Sequence, residues 1–184
     1  PEWNVQGADQ LIAEGDSDAV LQREQGGMKR VMKQLQPNCL EDLIAGISLY
    51  RPGPMDFIPT YLKNRADPAH ISYLTPQLIP ILEKTYGVII YQEQVMQIFQ
   101  NLAGYSLGQA DLVRRAMAKK HRSELMAQKD KFIYGDLDKG GNIAGCLAKG
   151  IPPGVSAELF AKMERLASDA FNQAHALRLL TVAT

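Results

Sequence analysis

The chain has 184 residues, 46% hydrophobic and 22% charged, with 20 Lys+Arg against 20 Asp+Glu and a formal net charge of zero. That length holds one domain with a real core or two small ones, and the composition is that of an ordinary globular protein. Neutrality excludes the global basic footprint of a free-standing DNA-binding domain and leaves room only for a local patch.

Two cysteines, Cys39 and Cys146, lie far apart without C-x-x-C spacing, so neither a zinc site nor a disulfide framework is expected, and a reducing cytoplasm is the simplest home. No apolar run reaches membrane-spanning length, and no membrane partner is expected. The first residues, PEWNVQGADQ, lack the cationic and apolar regions of a signal peptide and also an initiating methionine, which suggests an excised fragment.

In chain order, residues 1–27 are polar and Gly-rich, with a short helical candidate at Ala8–Glu14. From Met28, the apolar positions Met28, Val31, Met32 and Leu35 have helical spacing, broken by Pro37-Asn38. Asn38 is then placed to cap CLEDLIAGISLY, whose stripe is Leu40, Leu43, Ile44 and Ile47. The bend at Pro52-Gly53-Pro54 ends that helix. Short helices follow in DFIPTYLKNRA and TPQLIPILEKT. Val88–Tyr91, β-branched and bounded by Gly87, is the best strand candidate. It runs into a helix with the face Val95, Met96, Phe99 and Leu102, closed by Gly104. Ser106 caps the next helix, LGQADLVRRAMAKK, and another spans Ser123 to Tyr134. Residues 135–154 read as a loop, and SAELFAKMERLAS is the last clear helix. The fold class is mainly α, irregular, with at most a very short β element.

Three features bear on chemistry. Arg51 sits on a stiff Pro-Gly-Pro bend, either because a helix needs a sharp stop or because the cation must be held still for an anion. In RRAMAKKHR, Arg115, Lys119 and Arg122 are spaced for one helical face, flanked by Arg114, Lys120 and His121. Such a cluster suits a polyanion, and equally suits a solvated surface with scattered counter-charges. In FNQAHA, Asn172 and His175 are candidate phosphate donors, or simply the start of a helix with Phe171 in the core. Carboxylates are less promising. Asp16 with Asp18 and Asp136 with Asp138 lie in Gly-rich turns, where aspartate serves local hydrogen bonding. Glu93 opens a helix, where an acid suits the dipole. No catalytic or metal-binding residue is therefore assigned.

The stretches LEDLIAGISLYRPGPM, TYGVIIYQEQVMQIFQNLAGYSLGQADLVRRAMAKK and AFNQAHA, in this order, resemble the fingers region of the bacterial replicative DNA polymerase III α subunit, the C-family polymerase of the DnaE type. The resemblance runs from roughly Ala8 to His175. It implies a largely helical fingers domain over 28–184, led by a polar segment over 1–27. It also implies a surface for incoming dNTP and primer–template DNA, with the remaining polymerase domains and replisome subunits as partners. A nucleotide or DNA contact carries over to Arg51, Arg114, Arg115, Lys119, Lys120, Asn172 and His175. The family's catalytic aspartates and their Mg²⁺ belong to the palm, and no Pro-Asp-x-Asp-x-Asp strand occurs in this chain. No cofactor is therefore expected here, and the isolated chain is expected to be inactive.

The sequence departs from the family at Arg23 and Gln25, where an apolar, aromatic segment is usual, at Asp169, which replaces an aromatic, and at Gln173, which replaces a lysine. The alternative reading is a structural helical domain of polymerase ancestry that binds no ligand. A replisome interaction module is a third, with no short exposed apolar motif to support it.

Overall fold

The structure, a computed structural model, describes residues 25–50, 54–119 and 122–167. Eight α-helices are described: α1 (Gln25–Leu35), α2 (Leu40–Leu49), α3 (Ile58–Ala66), α4 (Ile79–Leu82), α5 (Gln92–Ala103), α6 (Leu107–Lys119), α7 (Arg122–Tyr134) and α8 (Pro153–Ala167). Single 3₁₀ turns link several of them. The mainly α expectation holds. The helical candidate at Ala8–Glu14 lies outside the described residues.

The chain builds two adjoining cores. In the N-terminal one, the stripe of α1 (Val31, Met32, Leu35) meets α2 (Leu43, Ile44, Ile47, Leu49) and Tyr61 of α3. The helices cross closely at Gly46, where an added Cβ would stand 2.7 Å from Leu35 Cδ2 and 2.9 Å from Met32 Cε. Only glycine permits that approach without displacing the core.

The expected cap at Asn38 is not made by its side chain. The N-cap of α2 is Cys39, in extended conformation, and Asn38 contributes its backbone N–H, which donates to Asp42 Oδ2 at 3.2 Å. A first-turn carboxylate thus does the capping from inside the helix. The same Oδ2 accepts Arg65 Nη2 at 2.8 Å, with Asp42 4% and Arg65 17% exposed. Arg65 also donates to the carbonyls of Leu35 and Gln36, taking up orphan acceptors where α1 ends and Gln36 turns to φ 44°. One guanidinium of α3 therefore locks the α1–α2 corner. Helix α2 stops at Leu49, as the following Pro-Gly-Pro suggests, and Tyr50 N donates to Gly46 O at 3.1 Å.

The segment expected as a strand, Val88–Tyr91, forms no ladder among the described residues, where Tyr91 alone is in a bridge. Its alternation lines the seam between the cores. Val88, Ile90 and Tyr91 enter the N-terminal core and Ile89 enters the C-terminal one. Fully buried Gln94 takes up backbone groups of this segment. Its Oε1 accepts the N–H groups of Ile90 (2.9 Å) and Tyr91 (3.0 Å), and its Nε2 donates to Thr85 Oγ1 (2.8 Å) and Ile81 O (3.4 Å).

The C-terminal core gathers rings from α5, α7 and α8. Phe99 and Phe132 meet at 5.1 Å and 70°, Phe132 and Phe160 at 5.8 Å, and Tyr105 lies 5.0 Å from Phe99. Such tilted and edge-on contacts suit aromatic quadrupoles. The segment after α7 packs on this core, with Cys146 N donating to Phe132 O at 2.8 Å and Gly145 N to Ala103 O at 2.9 Å.

Candidate functional site

Helix α6 carries the basic cluster. Ser106 and Gln109 open it with a reciprocal cap: Gln109 N donates to Ser106 Oγ at 3.2 Å, and Ser106 N donates to Gln109 Oε1 at 2.9 Å. Gln109 Nε2 also donates to Asn142 Oδ1 at 2.8 Å, tying the helix start to the loop after α7. Ala110, Val113 and Met117 are buried in the C-terminal core. Burial of that stripe turns the opposite side, with Asp111, Arg115 and Lys119, outward and leaves Arg114 on the border.

Asp111 gathers both arginines. Its Oδ1 accepts Arg114 Nε (3.2 Å) and Nη2 (2.9 Å), and its Oδ2 forms an ion pair with Arg115 Nη2 at 2.9 Å. The side chains are 28%, 15% and 64% exposed for Asp111, Arg114 and Arg115. The hydrogen bond from Arg114, with the charges of both arginines, holds the Asp111 carboxyl below the usual aspartate range. The triad retains one net positive charge. One turn on, Lys119 is exposed and makes no ion pair among the described residues. Chemically, the face offers guanidinium N–H donors to an anion and no nucleophile or base.

Of the seven residues singled out by sequence, the structure thus brings Arg114 and Arg115 together and sets Lys119 one turn away. Arg51, Lys120, Asn172 and His175 lie outside the described residues, as do Arg23, Asp169 and Gln173. Arg122, expected to share the face, opens the separate helix α7. Asp111 was overlooked; the available signal was its place three and four residues before two arginines in DLVRR.

The remaining candidates have local explanations. Asp136 Oδ1 accepts the N–H of Ile143 at 2.8 Å, so this aspartate shapes the loop, while Asp16 and Asp18 are outside the described residues. Glu93 sits in the first turn of α5, and its Oε2 is buried with no hydrogen-bond partner among the described residues. Burial pushes the Cys146 thiol up to about 11, which leaves it unreactive. Among the described residues no group of three or more His, Cys, Asp or Glu is placed to hold a metal, and no helix is long and apolar enough to cross a membrane.

Comparison with known proteins gives a consistent result. A family model described as the bacterial DNA polymerase III alpha subunit finger domain matches residues 5–140. The DNA polymerase III subunit alpha of Halalkalibacterium halodurans is 42% identical over 167 residues, covering 91% of this chain and 14% of that protein. The subunit of the same name from Staphylococcus aureus (strain MRSA252) is 42% identical over 174 residues, covering 95% of this chain and 15% of that protein. The chain therefore spans about one-seventh of the length of these relatives.

Proposed function

The chain belongs to the bacterial DNA polymerase III alpha subunit family, within its finger domain, and from that membership we propose that it contributes the surface contacting incoming dNTP and DNA during template-directed nucleotidyl transfer. The observation that carries this reading is the arginine pair on α6, two guanidinium groups converging on one carboxylate with most of their donors unused among the described residues. Planar forks of this kind match phosphate oxygens. Lys119 and Lys120 extend the positive charge along the chain, and Arg51, Asn172 and His175 complete the proposed contacts. The chain supplies phosphate positioning and no chemistry of its own. Metal-bound carboxylates belong to the palm of the whole polymerase, so incubation of this chain with primed template, dNTPs and Mg²⁺ yields no extension. Its working partners are the other polymerase domains and replisome subunits in a reducing cytoplasm, where free Cys39 and Cys146 persist as thiols.

The test is titration of dATP and of primer–template into the chain at low and at high salt. Phosphate-dominated binding weakens steeply as salt rises. Arg114→Ala or Arg115→Ala each costs about tenfold in affinity, the scale of one charge-assisted hydrogen bond. Arg51→Ala lowers affinity more than stability.

A second reading is favoured by Asp111 itself, which already neutralises one of the two arginine charges. On that reading the domain is structural and binds no nucleotide. Absence of binding at low salt decides for it.

A further inference from the structure

We propose that Asp111 is a positioning residue for phosphate recognition, holding Arg114 and Arg115 in the arrangement that receives a triphosphate; this rests on the arginine-pair reading above. Consecutive residues on a helix project about 100° apart, and two guanidinium groups repel. Left alone, Arg114 and Arg115 would diverge. Asp111 lies three and four residues before them, within reach of both, and divides its two oxygens between them. Nε and Nη2 of Arg114 and Nη2 of Arg115 face the carboxylate, so Nη1 of each arginine and Nε of Arg115 remain for an anion. Long side chains lose rotamer freedom when they bind, and here much of it is already lost.

The opposing idea makes Asp111 a resident counter-ion that phosphate must displace or tolerate. The geometry disfavours it. Asp111 is 28% exposed, so its repulsion of an arriving phosphate is screened by water and salt, whereas Arg114 is only 15% exposed and both of its hydrogen bonds among the described residues go to this carboxylate. The two ideas predict effects of opposite sign. Removing a counter-ion tightens phosphate binding; removing a positioner weakens it.

The experiment titrates inorganic tripolyphosphate into the full chain and its Asp111→Ala, Asp111→Asn and Asp111→Glu forms by calorimetry at low salt. Melting temperature and the ¹⁵N signal of Arg114 Nε are followed in parallel. We expect Asp111→Ala to weaken binding by roughly five- to tenfold, the scale of two side chains that must now be ordered on binding. Asp111→Glu, which keeps a carboxylate on the same face, restores most of it, and Asp111→Asn falls between. The Arg114 Nε–H exchanges with water faster in the alanine form. Binding by the alanine or asparagine form as tight as, or tighter than, the unaltered chain overturns the role of Asp111 and leaves the arginine reading standing. Weakening in all three forms together with a lowered melting temperature also overturns it, as a merely structural effect. Failure of the unaltered chain to bind tripolyphosphate removes the arginine reading itself, and the positioning role with it.

Discussion

Asp42 and Asp111 are both paired with arginine, at 2.8 Å and 2.9 Å, yet Asp42 is 4% exposed where α1, α2 and α3 meet and Asp111 is 28% exposed on the outer side of α6. The same two chemical groups serve different ends because burial differs. Around Asp42 every polar partner is internal: the N–H of Asn38, the guanidinium of Arg65, and through it the carbonyls of Leu35 and Gln36. Removing Arg65 would leave the buried Asp42 carboxylate without its counter-charge. Around Asp111 the carboxylate is 28% and Arg115 64% exposed, against 15% for Arg114, so the outer arginine and the carboxylate face solvent and an external anion can reach the pair. A buried pair fixes a fold, while an exposed one fixes a pair of side chains.

The largest expected effect tests the buried side of that contrast. Arg65→Ala should destabilise the chain by about 3–5 kcal/mol, because it leaves the buried Asp42 charge uncompensated. Arg114→Ala, which breaks an outwardly similar pair, should change stability by less than about 1 kcal/mol. Urea melts of the two variants measure both. Equal losses would erase the distinction. Replacing Asp42 and Arg65 together by leucine and methionine should recover most of the Arg65→Ala loss, since the buried charge leaves with its partner.

Next in size is a buried polar group that carries no charge. Gln94→Leu removes the acceptor of the Ile90 and Tyr91 N–H groups and a partner of Thr85, all at the seam between the cores. Its cost should be about 2–3 kcal/mol, the penalty for stranding buried polar groups. The Gln94→Leu loss should not vary with salt. If it matched that of Arg65→Ala, satisfied hydrogen bonding rather than charge would explain the N-terminal lock as well.

How much of this was legible in the sequence follows from what each feature depends on. The helices are local: apolar spacing marked α1, α2 and α5, the Ser106 cap marked α6, and Gly104 and Ser106 fall at two boundaries where the structure has them. The expected side-chain cap at Asn38 is not made, because the Asn38 N–H instead meets Asp42, held in turn by Arg65 from 23 positions away. Val88–Tyr91 has the composition of a strand, and only the tertiary fold shows that it is a seam stitched by Gln94. The positive charge of the candidate site was plain in RRAMAKK. The carboxylate that organises it was not, because a search for basic residues passes over the acid that aims them.

A smaller effect concerns how α6 is held at its start. Ser106→Ala removes the hydroxyl that accepts the Gln109 N–H, and should cost about 1 kcal/mol. Thermal melts at neutral pH measure it. A larger loss would mean that the start of α6 is pinned by more than its own cap, and would move the basic helix toward the locked, fold-fixing side of the contrast.

The smallest effect is the pH dependence of Asp111. Its carboxyl is held below the ordinary range, first by the hydrogen bond from Arg114 and further by the charges of the two arginines, against the opposing effect of burial. The folded value is therefore lower than the unfolded one. The stabilisation is fully present above the unfolded value, about 3.9, and disappears as pH falls through the folded value. Thermal melts of the unaltered chain and of Asp111→Asn should differ slightly from pH 6 down to about pH 4 and converge below it, with a gap smaller than that of Ser106→Ala. Added salt should shrink the gap, because these charges face water. A gap that widened toward acid would contradict the sign of the shift. A gap as large as that of Arg65→Ala, unchanged by salt, would place Asp111 among the groups that hold the fold, and would make its hold on the two arginines a structural feature rather than a positioning one.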